Sequence, residues 1–219
     1  MGITASKRIQ SESNTNGISS IDILADKIDE RMNHLDSLSD VFSLLDDYDG
    51  TDWRSYVNFS NKSYNKILVK RTKNIDLYII CWKAGQKTKI HDHPDRGCLM
   101  KILQGQLQEN IFSFIEPGKD SSSSTCSSGD KVVLGSGTAK TSLPPRESIA
   151  LSEDKVESGI NGDKLLFLNT NTLGHNEIGY KINKLILHQI LSPCDTVSLH
   201  IYSPVGYNPK YYKKQGVVH

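Results

Sequence analysis

Between residues 19 and 48 the apolar positions recur every three or four residues: Ile21, Leu24, Ala25, Ile28, Met32 and Leu35, with Asp and Glu between them. That period predicts an amphipathic helical region over 19–48, ending in a second short helix, Asp40 to Asp46, that carries Val41, Leu44 and Leu45. Asp49-Gly50 reads as a turn. From Ile75 onward the pattern changes. Short runs rich in Ile, Leu, Tyr and Phe, at Leu77 to Trp82, Cys98 to Leu103 and Gln106 to Phe114, are separated by turn residues and predict strands of an all-β barrel. The helices are expected to pack their apolar faces on the outside of that barrel. Residues 1–18 are polar and read as a flexible tail. Near 116–160 the run EPGKDSSSSTCSSGD opens a low-complexity insertion, with Cys126 expected to be an exposed bystander thiol. The chain therefore reads as one domain over 19–219, with helices at 19–48.

Composition narrows this picture. A length of 219 residues suits one domain, and a net charge of +1 gives no pull toward nucleic acid. No apolar run approaches the roughly 18 residues of a membrane-spanning helix. Four cysteines without regular spacing and without a secretion signal point to reduced thiols and a cytoplasmic setting. Met1-Gly2-Ile3-Thr4-Ala5-Ser6 fits the M-G-x-x-x-[ST] pattern of N-myristoylation at Gly2, and fits equally a chance match in a polar tail. One acyl chain gives marginal binding, so any membrane contact would be weak and reversible. A monomer is expected.

The chemistry concentrates between Gly85 and Gly105, GQKTKIHDHPDRGCLMKILQG. His91 and His93 stand one residue apart, and on a strand such positions share a face, so both imidazoles can reach one ion. Taken alone, His-Asp-His also fits a polar surface turn. The wider spacing G-x5-H-x-H-x4-C-x6-G resembles the first motif of the cupin superfamily, with Cys98 where a glutamate ligand is usual. Together with Ile80-Cys81-Trp82 and the distant Val197-Ser198-Leu199-His200-Ile201-Tyr202-Ser203-Pro204, it resembles the cysteine dioxygenases, over roughly Trp53 to Tyr207.

That resemblance implies a cupin (jelly-roll-like) β-barrel with short N-terminal helices, and Fe(II) held by three histidines. His91 and His93 are two of them. His175, after the turn Thr172-Leu173-Gly174, is the expected third, with His188 in the apolar strand Leu185 to Leu191 as its competitor. The resemblance also implies a thioether between Cys98 and Tyr202, with Ser198 and His200 hydrogen-bonding that tyrosine. Trp82 and Tyr64 would line the pocket. Lys66 stands where the family carries an arginine that grips the substrate carboxylate; Arg71 could fill the role in another register. Lysine supplies a point charge where arginine supplies a planar fork.

The implied reaction converts L-cysteine and O2 to cysteine sulfinate. Imidazole ligands by themselves suit iron, zinc, nickel and copper. The alternatives are oxidation of another small thiol, 3-mercaptopropionate or cysteamine, and a metal-binding cupin without catalysis. Oxidation of N-terminal cysteine on proteins would need an open pocket, and the Cys98–Tyr202 pair argues for small molecules.

Overall fold

The computed structural model describes residues 17–114, 156–158, 164–182 and 186–212. Gly2 and most of the serine-rich insertion, Cys126 included, lie outside these residues. Helix α1 spans Ile21–Met32 and α2 spans Phe42–Asp46, joined through a 3₁₀ turn at Leu38–Val41. The sequence period predicted helix through 19–48, but the chain breaks after Met32. Ser20 caps the start of α1, its hydroxyl accepting from the Asp22 amide. At the other end the Arg96 guanidinium takes the carbonyls of Met32 and Leu35, so a side chain from the barrel closes the helix.

Eleven strands are described: β1 (Asn65–Arg71), β2 (Asp76–Trp82), β3 (Ile90–His91), β4 (Cys98–Gln104), β5 (Leu107–Phe114), β6 (Val156–Ser158), β7 (Lys164–Leu173), β8 (Ile178–Lys181), β9 (Ile186–Leu191), β10 (Thr196–Tyr202) and β11 (Tyr211–Tyr212). They form two antiparallel sheets, one in the order β1-β2-β10-β4-β8, the other β11-β3-β9-β5-β7-β6. The two sheets face each other across a shared interior. The fold class is all-β, two antiparallel sheets with short N-terminal helices, as the sequence predicts.

Alternation along β2, β4 and β10 explains how the site is positioned. Leu77, Ile79, Cys81, Leu99, Leu103, Val197, Leu199 and Ile201 point outward and pack with Ile21, Leu24, Ile28 and Met32 of α1 in one core. Burying each of these aliphatic side chains contributes about 1.5–3 kcal/mol. The intervening residues point inward, where Ile80, Trp82, Met100, Ile102, Leu107 and Ile190 form a second cluster. Because helices cover the outer face, these strands are apolar on both sides and read as continuous runs.

Lys101 is the exception on the outer face. It is 3% exposed, and its ammonium donates to the carbonyls of Leu45, Asp46 and Tyr48 at 3.0, 3.0 and 2.7 Å. It ties the end of α2 to the sheet and answers that helix's negative pole. Lys101→Met leaves three carbonyls without this donor and should cost about 2–4 kcal/mol. The expected fall in melting temperature is roughly 4–16 °C, read by thermal unfolding against wild type; an unchanged midpoint would show that water satisfies those carbonyls.

Candidate metal centre

β3 carries His91, β9 carries His188, and the two are register partners. His93 follows β3 and is 1% exposed. The Nε2 atoms of His91 and His93 each lie 3.0 Å from Nε2 of His188. Each Nδ1 has its own partner: the Lys89 carbonyl at 2.9 Å for His91, the Ile186 carbonyl at 3.2 Å for His93, and Glu109 Oε1 at 2.5 Å for His188. A carbonyl or carboxylate oxygen accepts, so each Nδ1 carries the proton. Burial holds all three rings below the ordinary histidine range, most strongly for His93 and His188. Neutral rings protonated at Nδ1 present bare lone pairs at Nε2.

Three lone pairs therefore converge with no hydrogen between them. That contact is repulsive unless a cation sits among them. Adjacent positions on an octahedral ion with bonds of about 2.1 Å lie roughly 3.0 Å apart, which is the spacing of two of the three pairs. The donor set fits a divalent first-row metal. His91, His93 and His188 are the metal-competent cluster among the described residues.

This corrects the expected ligand set. His175 lies in the turn between β7 and β8, beside Asn176 at φ 65°; it is exposed and takes no part in the cluster. A histidine after a glycine-containing turn was the wrong cue, because the tip of a hairpin projects away from the barrel. His188 sits mid-strand on an inward position, where its ring meets the other two.

The other expected residues do meet. Cys98 and Tyr202 are cross-strand partners on β4 and β10. Trp82 Nε1 donates to Ser198 Oγ at 2.9 Å, and Ser198 Oγ lies 2.9 Å from His200 Nε2. An indole can only donate, so the serine hydroxyl passes its own proton toward His200 Nε2. His200 is buried and pushed down to about 3, hence neutral, with its proton on Nδ1. That Nδ1 faces the Tyr202 hydroxyl at 3.4 Å. The relay makes Tyr202 Oη an acceptor from His200 and turns its own hydrogen toward Cys98 and the cavity. Burial pushes the Cys98 thiol up to about 12 and the Tyr202 phenol upward as well.

Lys66, opposite Ile80 in the β1–β2 register, faces the same cavity. Its ammonium lies 4.1 Å from the Tyr78 ring centroid and 4.3 Å from that of Tyr202. Burial of the ammonium lowers its pKa, partly offset by Cys98 and Asp76, although the residue as a whole is exposed. Among the described residues it forms no ion pair. Arg71 does not share the role: its guanidinium is committed to Asp76, at 2.5 and 2.9 Å. Tyr64 stacks on Trp82 with centroids 4.6 Å apart, and both line the cavity. The cavity holds about 240 Å³, the scale of a small metabolite.

Sequence reasoning missed two features here. Glu109 is 2% exposed on the inward face of β5, flanked by Leu107 and Ile111. A charged residue on the apolar phase of an alternating strand was the available signal. The segment after β10 supplies Tyr207 and Tyr211 to the cavity wall. It is fastened by Asp92, which accepts from the Tyr207 hydroxyl and, at 2.8 Å, from the Lys210 amide.

The profile of the family described as cysteine dioxygenase type I matches residues 10–144. The chain belongs to that family. Cysteine dioxygenase type 1 of Danio rerio is 27% identical over 174 residues, covering 77% of this chain and 66% of the relative. The Rattus norvegicus protein of the same name is 28% identical over the same shares. The human one is 34% identical over 81 residues, 36% of this chain and 40% of the relative. The match thus spans just under two thirds of the first relatives' length. A crystal structure from Klebsiella pneumoniae, described as having a double-stranded β-helix domain, superposes loosely: TM-score 0.44, 11% identity, 76% of this chain and 98% of its own.

Within this cysteine dioxygenase type I family member, the choice between His188 and His175 can be tested directly. His188→Ala should lose Co(II) or Fe(II) binding by at least 100-fold in a competitive titration, while His175→Ala should bind as wild type does. Equal loss in both variants would reinstate His175.

Proposed function

We propose that the chain is a thiol dioxygenase that binds Fe(II) through His91, His93 and His188 and converts L-cysteine and O2 to cysteine sulfinate. The single observation that carries this is the convergence of three Nε2 lone pairs beside Cys98, Tyr202 and His200 in one small cavity, with Ser198 bonded behind His200. The relatives are cysteine dioxygenases by name, which supports the same substrate here. The iron would supply a site where thiolate sulfur and O2 meet. Both oxygen atoms end on sulfur, which loses four electrons as O2 gains four.

The chain's own residues do the rest. Three neutral imidazoles add no negative charge, so a thiolate is not repelled by its host. Lys66 draws an anionic group on the substrate to the mouth side of the cavity, as a point charge and without the two-bond grip of a guanidinium. The Tyr202 hydroxyl, aligned by His200, can donate into the cavity and hold a proton close to the reacting atoms. Tyr64, Trp82 and the segment with Tyr207 and Tyr211 shut out bulk water.

We read Cys98 and Tyr202, cross-strand partners, as the pair that joins. In the thioether reading, O2 takes two electrons and two hydrogens, one from the Cys98 thiol and one from the ring carbon beside the Tyr202 hydroxyl, as the C–S bond forms. On a denaturing gel, wild type aged with iron, cysteine and air should show a faster band that Cys98→Ser lacks. One unshifted band in both would count against the crosslink.

The lysine at position 66 favours a second reading, in which another carboxylate-bearing thiol is the better substrate. Oxygen uptake by iron-loaded protein with L-cysteine, 3-mercaptopropionate and cysteamine, with sulfinate identified by mass, separates the two. We expect turnover of L-cysteine and little with cysteamine, which has no carboxylate. Lys66→Met should raise KM for L-cysteine about 10- to 100-fold with a smaller change in kcat. Preference for 3-mercaptopropionate would install the second reading. No uptake with any thiol would leave a metal-binding cupin without catalysis.

A further inference from the structure

Glu109 is engaged at both oxygens. Oε1 takes the Nδ1 hydrogen of His188 at 2.5 Å, and Oε2 meets the Lys181 ammonium at 2.9 Å. Both side chains line the cavity, with the carboxylate 2% and the lysine 18% exposed. Lys181 ends β8 opposite Cys98, on the metal side of the cavity and on a different strand from Lys66. Among the described residues Glu109 is the one carboxylate lining the cavity.

A lone carboxylate behind a metal-bound imidazole strengthens that ring as a donor. It also places a full negative charge in a poorly screened interior, where charges are felt strongly. Such a charge favours the higher oxidation state of the metal and repels an incoming thiolate. The chain supplies the carboxylate that fixes the His188 ring and then cancels its charge from the far side.

We infer that Lys181 is a positioning residue that neutralises Glu109, so that the His188 ring is oriented by a carboxylate without adding a net negative charge to the three-histidine centre. The cavity thereby reserves its attraction for the substrate's thiolate. This rests on the three-histidine reading above. It assigns neither the lysine nor the glutamate to substrate binding or to metal ligation.

Charge changes of opposite sign test it. In Lys181→Met the Glu109 charge stands alone. The Fe(III)/Fe(II) midpoint potential should fall by about 59 mV for each tenfold preference for the oxidised ion. Cysteine binding to the Co(II)-loaded protein, read by its sulfur-to-metal absorption, should weaken about tenfold. In Glu109→Gln the amide oxygen can still accept from His188 while the Lys181 charge stands alone, so both readings should move the other way. The double variant carries neither charge and should return toward wild type, and Lys181→Arg should resemble wild type throughout. A structural role would move both single variants in one direction and worsen the double; that result, or no shift in either, overturns the inference. If Lys181→Met does not fold, Glu109→Gln against the double variant still decides. Failure of wild-type protein to take up Fe(II) or Co(II) would defeat the three-histidine reading first, and is visible before any variant is made.

Discussion

Three Nδ1 hydrogens hold the centre together. Each is spent on a fixed oxygen, two of them backbone carbonyls and the third Glu109. With those protons committed, the Nε2 lone pairs have no choice but to face one another, and the site acquires a standing demand for a cation. Strand pairing sets the distances. β9 lies between β3 and β5, so one neighbour brings His91 to the His188 ring and the other brings the carboxylate that orients it. A slip of one residue in β9 would turn His188 away and put Leu187 or Gln189 in its place.

The helices matter to the chemistry although none of their residues enters the cavity. By burying the outer faces of β2, β4 and β10 they fix which phase of each strand points inward. On β10 that phase is Ser198, His200 and Tyr202, and on β4 it begins at Cys98. A hydrogen-bonded line from Trp82 to the tyrosine hydroxyl follows from alternation alone. Lys101 and Arg96 reinforce the arrangement by reaching from the barrel to close helix ends, so helix and sheet cannot shift independently.

Much of this could be read before the structure. The period of α1, the strands β2, β4 and β5, the shared face of His91 and His93, and the alternation of Ser198, His200 and Tyr202 are local properties of the chain. What failed was not local. His175 and His188 compete only through which strand lies beside β3, and that is a property of the sheet order. The break after Met32 depends on Arg96, which is distant in sequence. Arg71 and Lys66 differ by a bulge between Leu68 and Lys70 and by the presence of Asp76 to absorb one guanidinium. Glu109 was legible as an anomaly, a charge on the apolar phase, but its partners were not.

Asp92 sits between two of the metal-competent histidines and faces away from them, holding Tyr207 and the backbone at Lys210. The three-histidine cluster is complete once β9 is in place, whereas one wall of the cavity arrives only with the segment after β10. Paired strands thus hold the three ring nitrogens, while a segment pinned at Asp92 walls the cavity, so loss of the Asp92 contacts would open the cavity to solvent without dismantling the histidine cluster.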